Sequence, residues 1–484
     1  MLPVGRFSKT DAWIAGTWTD PGARFRVINP ATGETIAEVA DCGPEEARRA
    51  VEAAETAFRA WSGTSVYERS AVLWRLRDLM LEHREDLARL MSLEMGKPIK
   101  ESRGEVVYAA GFVEWYAEEA KRIFGEIIPA STLEKRILIQ AAPVGPVYGI
   151  TPWNFPAAMV TRKLAPALAA GCSFILKPAE QSPLTALALA ELLHEAGLPP
   201  GVFQVITTHD PAGVSQVILD DPRIRKLTFT GSTEVGSKLY AQAAATVKRV
   251  SLELGGHAPF LVFEDADLDK AVKEAVTCAF RNTGQTCVCA NRIYVHEAVA
   301  GRFLEAFVEA VRGLKVGDPL DESTDIGPLV DQQGFDKVKA HVDDALRRGA
   351  KALLGGTPLA PGGRAGGYYF APTVLAGVDA AMRVAREETF GPVAPVLTFA
   401  SEEEAVRLAN DTPYGLAAYV FTKDVSRVFR VTEALEYGIV GVNDGVPATP
   451  QAPFGGVKLS GVGREGGTYG IEEYIERKFV SIKL

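Results

Sequence analysis

Five short β-rich runs alternate with helical stretches between residues 143 and 253, and this alternation constrains the fold more than any other feature. The helical stretches cover about 156–170, 183–196, 211–219 and 233–245. Strands that alternate with helices predict right-handed crossovers and a doubly wound, parallel α/β sheet. In such sheets a ligand binds beyond the carboxyl ends of the strands, so the residues after each run are the candidate site. The runs are VYGIT (147–151), SFILK (173–177), VFQVI (202–206), KLTFT (226–230) and RVSLEL (249–254).

The rest of the chain predicts further units around this sheet. FRVINPATGETIAEV, within residues 1–40, indicates a β-hairpin around Thr32-Gly33, and residues 44–121 show the apolar spacing of helices. A second α/β region is predicted from about 255 to 455. Two apolar pieces remain, 128–142 and 465–484, and each has more apolar surface than a lone strand can bury. We expect these pieces to pair with each other or with another subunit.

The composition limits the class of protein. With 484 residues, 47% of them hydrophobic and 23% charged, the chain is typical of a folded protein with two or three domains. The net charge of -9 and the lack of a basic block argue against a nucleic-acid partner. Five cysteines are a sparse and odd set, which favours a reducing compartment over a disulfide framework. Because neither a signal peptide nor an apolar run of about 20 residues is present, we expect a cytoplasmic protein without membrane contact.

Seven motifs in a fixed order carry a family resemblance. They are TPWNFP (151–156), KPAEQSP (177–183), FTGSTEVG (229–236), ELGG (253–256), FRNTGQTCVCANR (280–292), EETFGPV (387–393) and PFGGVKLSGVGRE (453–465). Together they resemble the aldehyde dehydrogenase superfamily over essentially the whole chain, and most of all its succinate-semialdehyde dehydrogenase branch.

The resemblance implies an α/β fold with three parts. A doubly wound NAD-binding domain would comprise residues 1–121 and 142–253, and an α/β catalytic domain residues 254–455. A small β oligomerisation extension would comprise residues 122–141 and 456–484. The expected assembly is a homodimer or homotetramer.

Cys287 is the predicted nucleophile. A free thiol has a pKa near ~8.5, so an attacking cysteine needs surroundings that stabilise the thiolate. We expect Gly284 to end the preceding helix and a flexible turn, 284–286, to present the sulfur to a cleft. The alternative is a buried structural thiol. The resemblance implies that Cys287 attacks an aldehyde to give a thiohemiacetal, passes hydride to a nicotinamide and is left as a thioester.

Glu253 and Asn154 are the other predicted catalytic residues. A carboxylate at the end of the fifth run could activate water as a general base, unless Glu253 is a solvated surface residue. The resemblance assigns it the base role, and its presence weighs against relatives that pass the thioester to coenzyme A. Asn154 precedes Phe155-Pro156, where a helix N-cap is one interpretation. The resemblance instead makes its amide and the backbone N–H of Cys287 the oxyanion hole.

The predicted cofactor is NAD, with NADP as the alternative. GSTEVG (231–236) begins a helix after a strand, which places backbone donors near a pyrophosphate, although it is not the common glycine motif. A carboxylate at Glu180 would accept a hydrogen bond from a ribose 2′-hydroxyl and repel a 2′-phosphate, unless it points to water. The resemblance assigns to the cofactor Thr151, Pro152, Trp153, Lys177, Glu180, Gly231, Ser232, Glu388 and Phe390.

Two arginines bear on the substrate. By resemblance, Arg162 and Arg281 grip a distal carboxylate, a bidentate role that suits a guanidinium. The alternatives are a solvated helix face for Arg162 and a helix C-terminal cation for Arg281. The branch has a serine-containing segment before PFGG, whereas this chain has GVPATPQAPFGG, in which only Thr449 could supply a hydroxyl.

The predicted substrate is therefore succinate semialdehyde. Another semialdehyde, such as glutarate semialdehyde, is an alternative, and so is a neutral or aromatic aldehyde. From a different class, the fold could serve as a non-catalytic structural protein.

Cys289 is a candidate redox residue, because the branch often carries this Cys-x-Cys pair and can use it as a lock. In an extended strand, residues i and i+2 are about 6.6–6.8 Å apart, at the limit of a disulfide. A Cys287–Cys289 bond would therefore require the segment to bend, and a small buried thiol is the alternative. No metal site is predicted, since two thiols without a nearby His or further Cys do not have ligand spacing.

Overall fold

The structure is a computed structural model that describes residues 5–363 and 366–484. Its strands, in chain order, are β1 (Ala12–Ile14), β2 (Thr17–Thr19), β3 (Arg24–Ile28), β4 (Thr35–Ala40), β5 (Glu126–Ile128), β6 (Lys135–Pro143), β7 (Val147–Ile150), β8 (Phe174–Lys177), β9 (Phe203–Val205), β10 (Lys226–Thr230), β11 (Arg249–Glu253), β12 (Ala258–Val262), β13 (Ala290–His296), β14 (Lys351–Leu354), β15 (Pro358–Leu359), β16 (Tyr369–Phe370), β17 (Thr373–Ala376), β18 (Val393–Phe399), β19 (Ala417–Phe421), β20 (Ile439–Val442), β21 (Gly461–Val462) and β22 (Ile475–Lys483).

The helices account for about half of the remaining length. They are α1 (Pro44–Trp61), α2 (Val66–Glu82), α3 (Arg84–Met95), α4 (Ile99–Glu119), α5 (Ala158–Ala170), α6 (Pro183–Glu195), α7 (Pro211–Asp220), α8 (Thr233–Ala244), α9 (Leu268–Phe280), α10 (Glu297–Arg312), α11 (Gln332–Arg347), α12 (Arg383–Arg386), α13 (Glu402–Asn410), α14 (Val425–Ala434) and α15 (Gly467–Glu472). Within the described ranges, no helix has the length and apolar composition needed to span a bilayer.

The first sheet has the strand order β2-β1-β9-β8-β7-β10-β11-β21. Its five central strands are parallel and coincide with the five runs predicted from the sequence. By chain order they stand third, second, first, fourth and fifth across the sheet, which is the doubly wound arrangement. The winding reverses between β7 and β10, so the crevice for a ligand opens beyond the ends of these two strands.

Burial on both faces explains why the central strands are continuous apolar runs. Every residue of β7, β8 and β10 is buried, as is every residue of α5, which packs on the sheet. α5 ends at Gly171, whose φ of +98° lies in the left-handed region that glycine adopts without strain.

Antiparallel pieces close both edges of this sheet. The hairpin β1–β2 extends it beside β9, which the sequence pattern did not predict. At the other edge, Gly461 and Val462 of β21 pair with Glu253 and Leu252, although the sequence assigned this segment to the oligomerisation extension. The close approach requires glycine, because a Cβ on Gly461 would lie 2.1 Å from the Leu252 carbonyl oxygen.

The second sheet has the order β14-β17-β18-β13-β12-β19-β20 and is parallel except for β14. All its strands lie within residues 258–442, inside the second α/β region predicted from about 255 to 455. The predicted hairpin around Thr32-Gly33 is also present, as β3 paired with β4, and Gly33 at its turn has φ +74°.

A third, three-stranded sheet has the order β22-β6-β5. β6 and β22 pair antiparallel along their whole length, from Pro143 with Ile475 to Lys135 with Lys483. The two unassigned apolar pieces therefore pair with each other, which was one of the two predictions. Ile127 and Phe479 stay 80% and 63% exposed, so this sheet is not fully covered within one chain.

Candidate active site

Two cavities meet at Cys287, whose side chain lines both. The sheet-end cavity, of about 310 Å³, lies beyond the carboxyl ends of β7 and β10. It is lined by Pro152, Trp153, Asn154, Gln181, Thr230, Gly231, Ser232, Leu254, Gly255, Gln285, Cys287, Val330, Asp331, Gln333, Gly334, Lys337, Glu388, Thr389 and Phe390. The inner cavity, of about 330 Å³, is lined by Lys97, Glu101, Gly104, Glu105, Tyr108, Phe155, Met159, Arg162, Arg281, Thr286, Cys287, Val288, Val446, Ala448 and Phe454.

A left-handed turn carries Cys287 to the junction of the cavities. α9 ends at Phe280, not at Gly284 as predicted, and Asn282, Thr283 and Gly284 follow with φ of 51°, 59° and 72°. Two successive non-glycine residues in this region are strained, so the surrounding contacts must hold them. A Cβ on Gly284 would lie 2.1 Å from the carbonyl oxygen of Gly391, so this position requires glycine.

Buried hydrogen bonds support this turn, and its flexibility stays a prediction. The Thr283 hydroxyl donates to the Gly327 carbonyl at 3.2 Å and accepts from the Gly327 N–H at 3.1 Å. Gln285 Oε1 accepts from the Val330 N–H at 3.0 Å, and the Asn282 N–H donates to Glu101 Oε2 at 2.7 Å. The residues before the sulfur are therefore supported by contacts from two other segments.

Burial raises the pKa of the Cys287 thiol to about 12, although the Arg162 guanidinium opposes this rise. The carboxylates of Glu388 and Glu253 raise the pKa further. Cys287 is consequently a thiol at neutral pH in the protein alone, and a thiolate requires an added positive charge or a proton acceptor.

Asn154 follows β7 and faces the turn. Its Nδ2 donates to the Gln285 carbonyl at 3.1 Å, and its own carbonyl accepts from Lys97 Nζ at 2.8 Å and Asn282 Nδ2 at 3.0 Å. The N-cap interpretation is wrong, because Glu105 Oε1 accepts from the first N–H groups of α5.

Two donors near the sulfur are available for a developing oxyanion. The second hydrogen of Asn154 Nδ2 has no acceptor among residues 5–363 and 366–484, and neither has the backbone N–H of Cys287. Both groups lie where the turn meets the end of β7.

Glu253 is the last residue of β11 and is 3% exposed, so the interpretation as a solvated surface residue is wrong. Burial raises its pKa well above the ordinary value, and the Glu465 carboxylate adds to this, while Arg162 and Lys163 oppose it. Its Oε2 has no hydrogen-bond partner within the described part of the chain. Glu253 does not line either cavity, but its carboxylate contributes to the raised pKa of the Cys287 thiol.

Glu465 is a buried charge to which the sequence analysis gave no role. It forms close ion pairs with both Arg162 and Lys163, and all three side chains are at most 5% exposed. Its only sequence signal was its place at the end of the PFGGVKLSGVGRE motif.

Four of the predicted cofactor residues form one wall of the sheet-end cavity. Ser232 caps α8 by accepting from the Val235 N–H at 3.3 Å, and Gly231 precedes it. The Trp153 and Phe390 rings meet edge to face, with centroids 5.5 Å apart. A helix N-terminus at a strand end fits a pyrophosphate, and the two flat rings beside Cys287 fit a planar nicotinamide.

Glu388, another predicted cofactor residue, is held in the same cavity. Its Oε1 accepts from the Gly256 N–H at 3.2 Å, and burial raises its pKa to about 7. A Cβ on Gly255 would lie 3.0 Å from the same carboxylate, so this wall of the cavity is close-packed.

Three other predicted cofactor residues do not line the cavity. Thr151 donates its N–H to the Lys177 carbonyl, and Lys177 Nζ forms an ion pair with Glu180 Oε1 at 2.5 Å. The neighbouring Gln181 does line the cavity. Asp331 and Lys337, at the start of α11, also line the cavity. They could not be predicted from strand ends, because no strand directly precedes this helix.

The predicted substrate arginines both line the inner cavity, but their surroundings differ. Arg162 is 2% exposed, so it is not on a solvated helix face, and it pairs with Glu465. Arg281 follows the last residue of α9 and lies 5.6 Å from the Phe155 ring centroid. It forms no ion pair with any residue that the structure describes.

Thr449 does not join the arginines. Its hydroxyl donates to Gln451 Oε1 at 2.5 Å, and Val446 and Ala448 line the inner cavity in its place. The loop before PFGG therefore contributes apolar surface to this cavity, where the sequence analysis considered a hydroxyl.

Similarity to known proteins decides the family. Residues 18–480 match the aldehyde dehydrogenase family. The chain belongs to this family. It is 52% identical over 478 residues to the succinate-semialdehyde dehydrogenase [NADP(+)] of Escherichia coli strain K12, with 98% of each chain covered. It is also 52% identical over 486 residues to a glutarate-semialdehyde dehydrogenase of Pseudomonas putida strain KT2440, with 100% of each chain covered.

A solved relative shows the same fold with a cofactor bound. The crystal structure of Staphylococcus aureus betaine aldehyde dehydrogenase in complex with NAD+ has a TM-score of 0.95 and is 36% identical, covering 98% of this chain and 95% of that one. The predictions of an aldehyde dehydrogenase fold and of an NAD- or NADP-dependent aldehyde dehydrogenase are confirmed.

Cys289 in this aldehyde dehydrogenase is 4% exposed and lines neither cavity. Residues 287–289 turn before β13 begins at Ala290, so the bend that a disulfide would need is present. The Thr286 hydroxyl donates to the Cys289 sulfur at 2.7 Å, and burial raises the pKa of this thiol to about 11. The redox lock stays a prediction.

Proposed function

We propose that this aldehyde dehydrogenase oxidises succinate semialdehyde to succinate with NAD, through Cys287. The observation that carries the proposal is the unpaired Arg281 guanidinium in the same cavity as the nucleophile. A partly buried cation without an ion-pair partner is costly, and a substrate carboxylate would neutralise it through a bidentate contact. The names of two relatives at 52% identity, a succinate- and a glutarate-semialdehyde dehydrogenase, point to the same class of substrate.

Arg162 has a secondary part in this proposal. Its charge is already balanced by Glu465, but its Nη2 has no hydrogen-bond partner within residues 5–363 and 366–484. It would donate to the substrate or to the sulfur, while Arg281, which forms no ion pair among the described residues, would bind the substrate carboxylate.

The reaction would begin when the Cys287 thiol loses its proton to solvent and the sulfur attacks the aldehyde carbon, so that the carbonyl oxygen becomes an oxyanion. This thiol proton is the one released in the overall reaction. Asn154 Nδ2 and the Cys287 N–H would stabilise this oxyanion in the thiohemiacetal. The bound NAD supplies the acceptor for the hydride that leaves the same carbon. The product on the enzyme is then a thioester on Cys287.

Glu253 would complete the cycle by deprotonating a water that attacks the thioester. This releases the carboxylic acid and restores the thiol, so the sum is aldehyde, NAD+ and water giving acid, NADH and a proton. Burial raises the pKa of this carboxyl group, which makes its ionised form a stronger base. Its position outside both cavities requires a side-chain rotation toward the sulfur.

NAD is favoured over NADP by the Lys177–Glu180 ion pair. A 2′-phosphate placed at Lys177 would have to displace the Glu180 carboxylate and would then face its charge. The E. coli relative is named as NADP-dependent, so this preference would distinguish the two proteins.

Glutarate semialdehyde is the second candidate substrate. Val446 and Ala448 give the inner cavity an apolar wall with no hydroxyl from Thr449, which places no polar limit on chain length there. Because one more methylene changes binding by only ~1 kcal/mol, both semialdehydes could be oxidised.

The test is kcat/KM for succinate semialdehyde, glutarate semialdehyde and neutral aldehydes of equal length, each with NAD and NADP. We expect the semialdehydes to exceed their neutral counterparts by at least about tenfold, as a charged contact requires. Equal values for charged and neutral aldehydes would overturn the substrate proposal while leaving the enzyme class intact.

We also propose that the three sheets correspond to a cofactor domain, a catalytic domain and an oligomerisation extension. The exposed apolar residues of the third sheet support an assembly of two or four copies. Light scattering coupled to size-exclusion chromatography would measure the mass, and a monomer would contradict this proposal.

A further inference from the structure

Lys97 is a buried cation that takes no part in the proposed reaction. It lies between α3 and α4 and is 1% exposed. Its Nζ donates to the Asn154 carbonyl at 2.8 Å, forms a close ion pair with Glu105, and lies 3.8 Å from the Phe155 ring centroid. An ammonium has three hydrogens, and these three neighbours account for all of them.

Glu105 connects Lys97 to the start of α5. Its Oε1 accepts from the N–H groups of Ala157 and Ala158, at 2.9 and 3.2 Å, while its Oε2 pairs with Lys97. The segment from Asn154 to Ala158 is therefore held at both ends by one ion pair.

The carbonyl of Asn154 also connects to the nucleophile's turn. Asn282 Nδ2 donates to it at 3.0 Å and to the Gln285 carbonyl at 3.3 Å. Gln285 in turn accepts from Asn154 Nδ2 at 3.1 Å. The strand end that carries Asn154 and the turn that carries Cys287 thus share one hydrogen-bonded junction, and Lys97 binds its central carbonyl.

We propose that Lys97 is a positioning residue that holds Asn154 so that its amide points to the oxyanion. This inference rests on the proposed function, which makes Asn154 an oxyanion donor. A buried ion pair often stabilises a protein no more than a well-packed apolar pair would. We therefore attribute the Lys97–Glu105 pair to the geometry that it fixes. Charge-assisted hydrogen bonds hold their acceptors more tightly than neutral ones, and small misplacements at a reacting centre are costly to rate.

A competing role for Lys97 is direct contact with the substrate carboxylate, since it lines the inner cavity. The two roles differ in what they change. Loss of a positioning residue lowers kcat for charged and neutral aldehydes alike, whereas loss of a carboxylate ligand raises KM for charged aldehydes alone.

The experiment is a double-mutant cycle of Lys97→Met and Asn154→Ala, measured as kcat on succinate semialdehyde and on a neutral aldehyde of equal length. We expect Asn154→Ala to lower kcat by about 10²–10³-fold and Lys97→Met by about 10–100-fold on both substrates. In the Asn154→Ala background, Lys97→Met should lower kcat by less than about twofold, because the group it positions is gone.

Lys226→Met is the matched control. Lys226 is also fully buried with a glutamate partner, Glu473 at 3.5 Å, but it lies at the start of β10, at the opposite end of the sheet from the cavities. Melting temperature and NAD binding are measured for every variant, and Lys226→Met should lose stability without the kcat coupling. Should Lys97→Met not yield folded protein, Lys97→Arg keeps the charge but displaces the donor, and the same coupling is expected.

Four outcomes would overturn an assignment, and each is distinct. Additive losses in the cycle, or an unchanged kcat in Lys97→Met, would overturn the positioning role. A KM increase confined to the charged aldehyde would replace it with direct substrate contact. An unchanged kcat in Asn154→Ala would instead overturn the oxyanion role in the proposed function.

Discussion

The two cavities that meet at Cys287 are built from different kinds of groups. The sheet-end cavity combines a capped helix start at Ser232, close-packed glycines and the edge-to-face rings of Trp153 and Phe390 with a few ionisable side chains. The inner cavity is lined by ionisable side chains, among them Arg162, Arg281, Lys97, Glu101 and Glu105. Backbone groups suit a cofactor that many enzymes share, whereas fixed charges discriminate among small substrates.

The difference also shows in how charge is balanced. In the inner cavity Lys97 pairs with Glu105, and Arg162 pairs with Glu465, so each buried ion has its counter-ion within the protein. Arg281 forms no such ion pair among the described residues, although the Glu101 carboxylate of the same cavity interacts with its charge. We therefore expect a substrate carboxylate to contact Arg281 rather than Lys97 or Arg162.

Removing the sulfur tests whether aldehyde oxidation can be lost while NAD binding is kept. Cys287→Ala should reduce aldehyde oxidation to an undetectable rate, because no other thiol lines either cavity in the described chain. The dissociation constant for NAD should change by no more than about twofold, since the backbone N–H groups at the start of α8, which fit a pyrophosphate, do not depend on the sulfur. The measurements are NADH absorbance and a fluorescence titration with NAD; Cys289→Ala is the matched control and should retain oxidation.

Near-normal turnover in Cys287→Ala would contradict the mechanism. Loss of NAD binding in the same variant would contradict the separation of the cavities, because it would show that the sulfur also shapes the cofactor side.

Glu253→Gln should separate the two half-reactions. Hydride transfer would still occur once, giving a burst of one NADH per active site, but the following steady rate should fall by about 10²–10⁴-fold for lack of a base. Burial raises the pKa of Glu253, and the base must be ionised, so the normal rate should rise with pH through this elevated pKa. Glu253→Gln should lose that ascending limb; a variant without a burst, or with the limb unchanged, would contradict the base role.

Arg281→Ala should raise KM for succinate semialdehyde by about 10–100-fold and leave a neutral aldehyde of equal length nearly unchanged. Arg162→Ala is the informative comparison. It leaves Glu465 with Lys163 alone, so it should lower melting temperature and impair both substrates. Equal effects of Arg281→Ala on charged and neutral aldehydes would remove the carboxylate contact.

The same contrast explains what the sequence could predict. The five central strands of the first sheet followed from apolar runs, because burial on both faces makes such strands continuously apolar. The residues after β7 and β10 followed from topology, since ligand sites lie at strand ends. Cys287, Asn154 and Glu253 came from the family resemblance, and their roles stay predictions.

The inner cavity was harder to predict because its contacts join residues distant along the chain. Glu465 meets Arg162 across 303 positions, and Lys97 meets Asn154 across 57. No local pattern encodes such pairs. The hydrogen bonds that support the turn before Cys287 could not be predicted either, because their partners, Glu101, Gly327 and Val330, are distant along the chain.

The smallest expected effect is a change in cofactor preference. Glu180→Ala leaves the Lys177 ammonium without its partner, so Lys177 becomes available to a 2′-phosphate. We expect kcat/KM with NADP, relative to NAD, to rise by about tenfold, which is about 1.4 kcal/mol of differential binding. Glu234→Ala is the control, because this exposed glutamate pairs with Lys238 on α8 without lining the sheet-end cavity. An unchanged ratio in Glu180→Ala would mean that Glu180 faces water, and that the sheet-end cavity discriminates between the cofactors by its backbone alone.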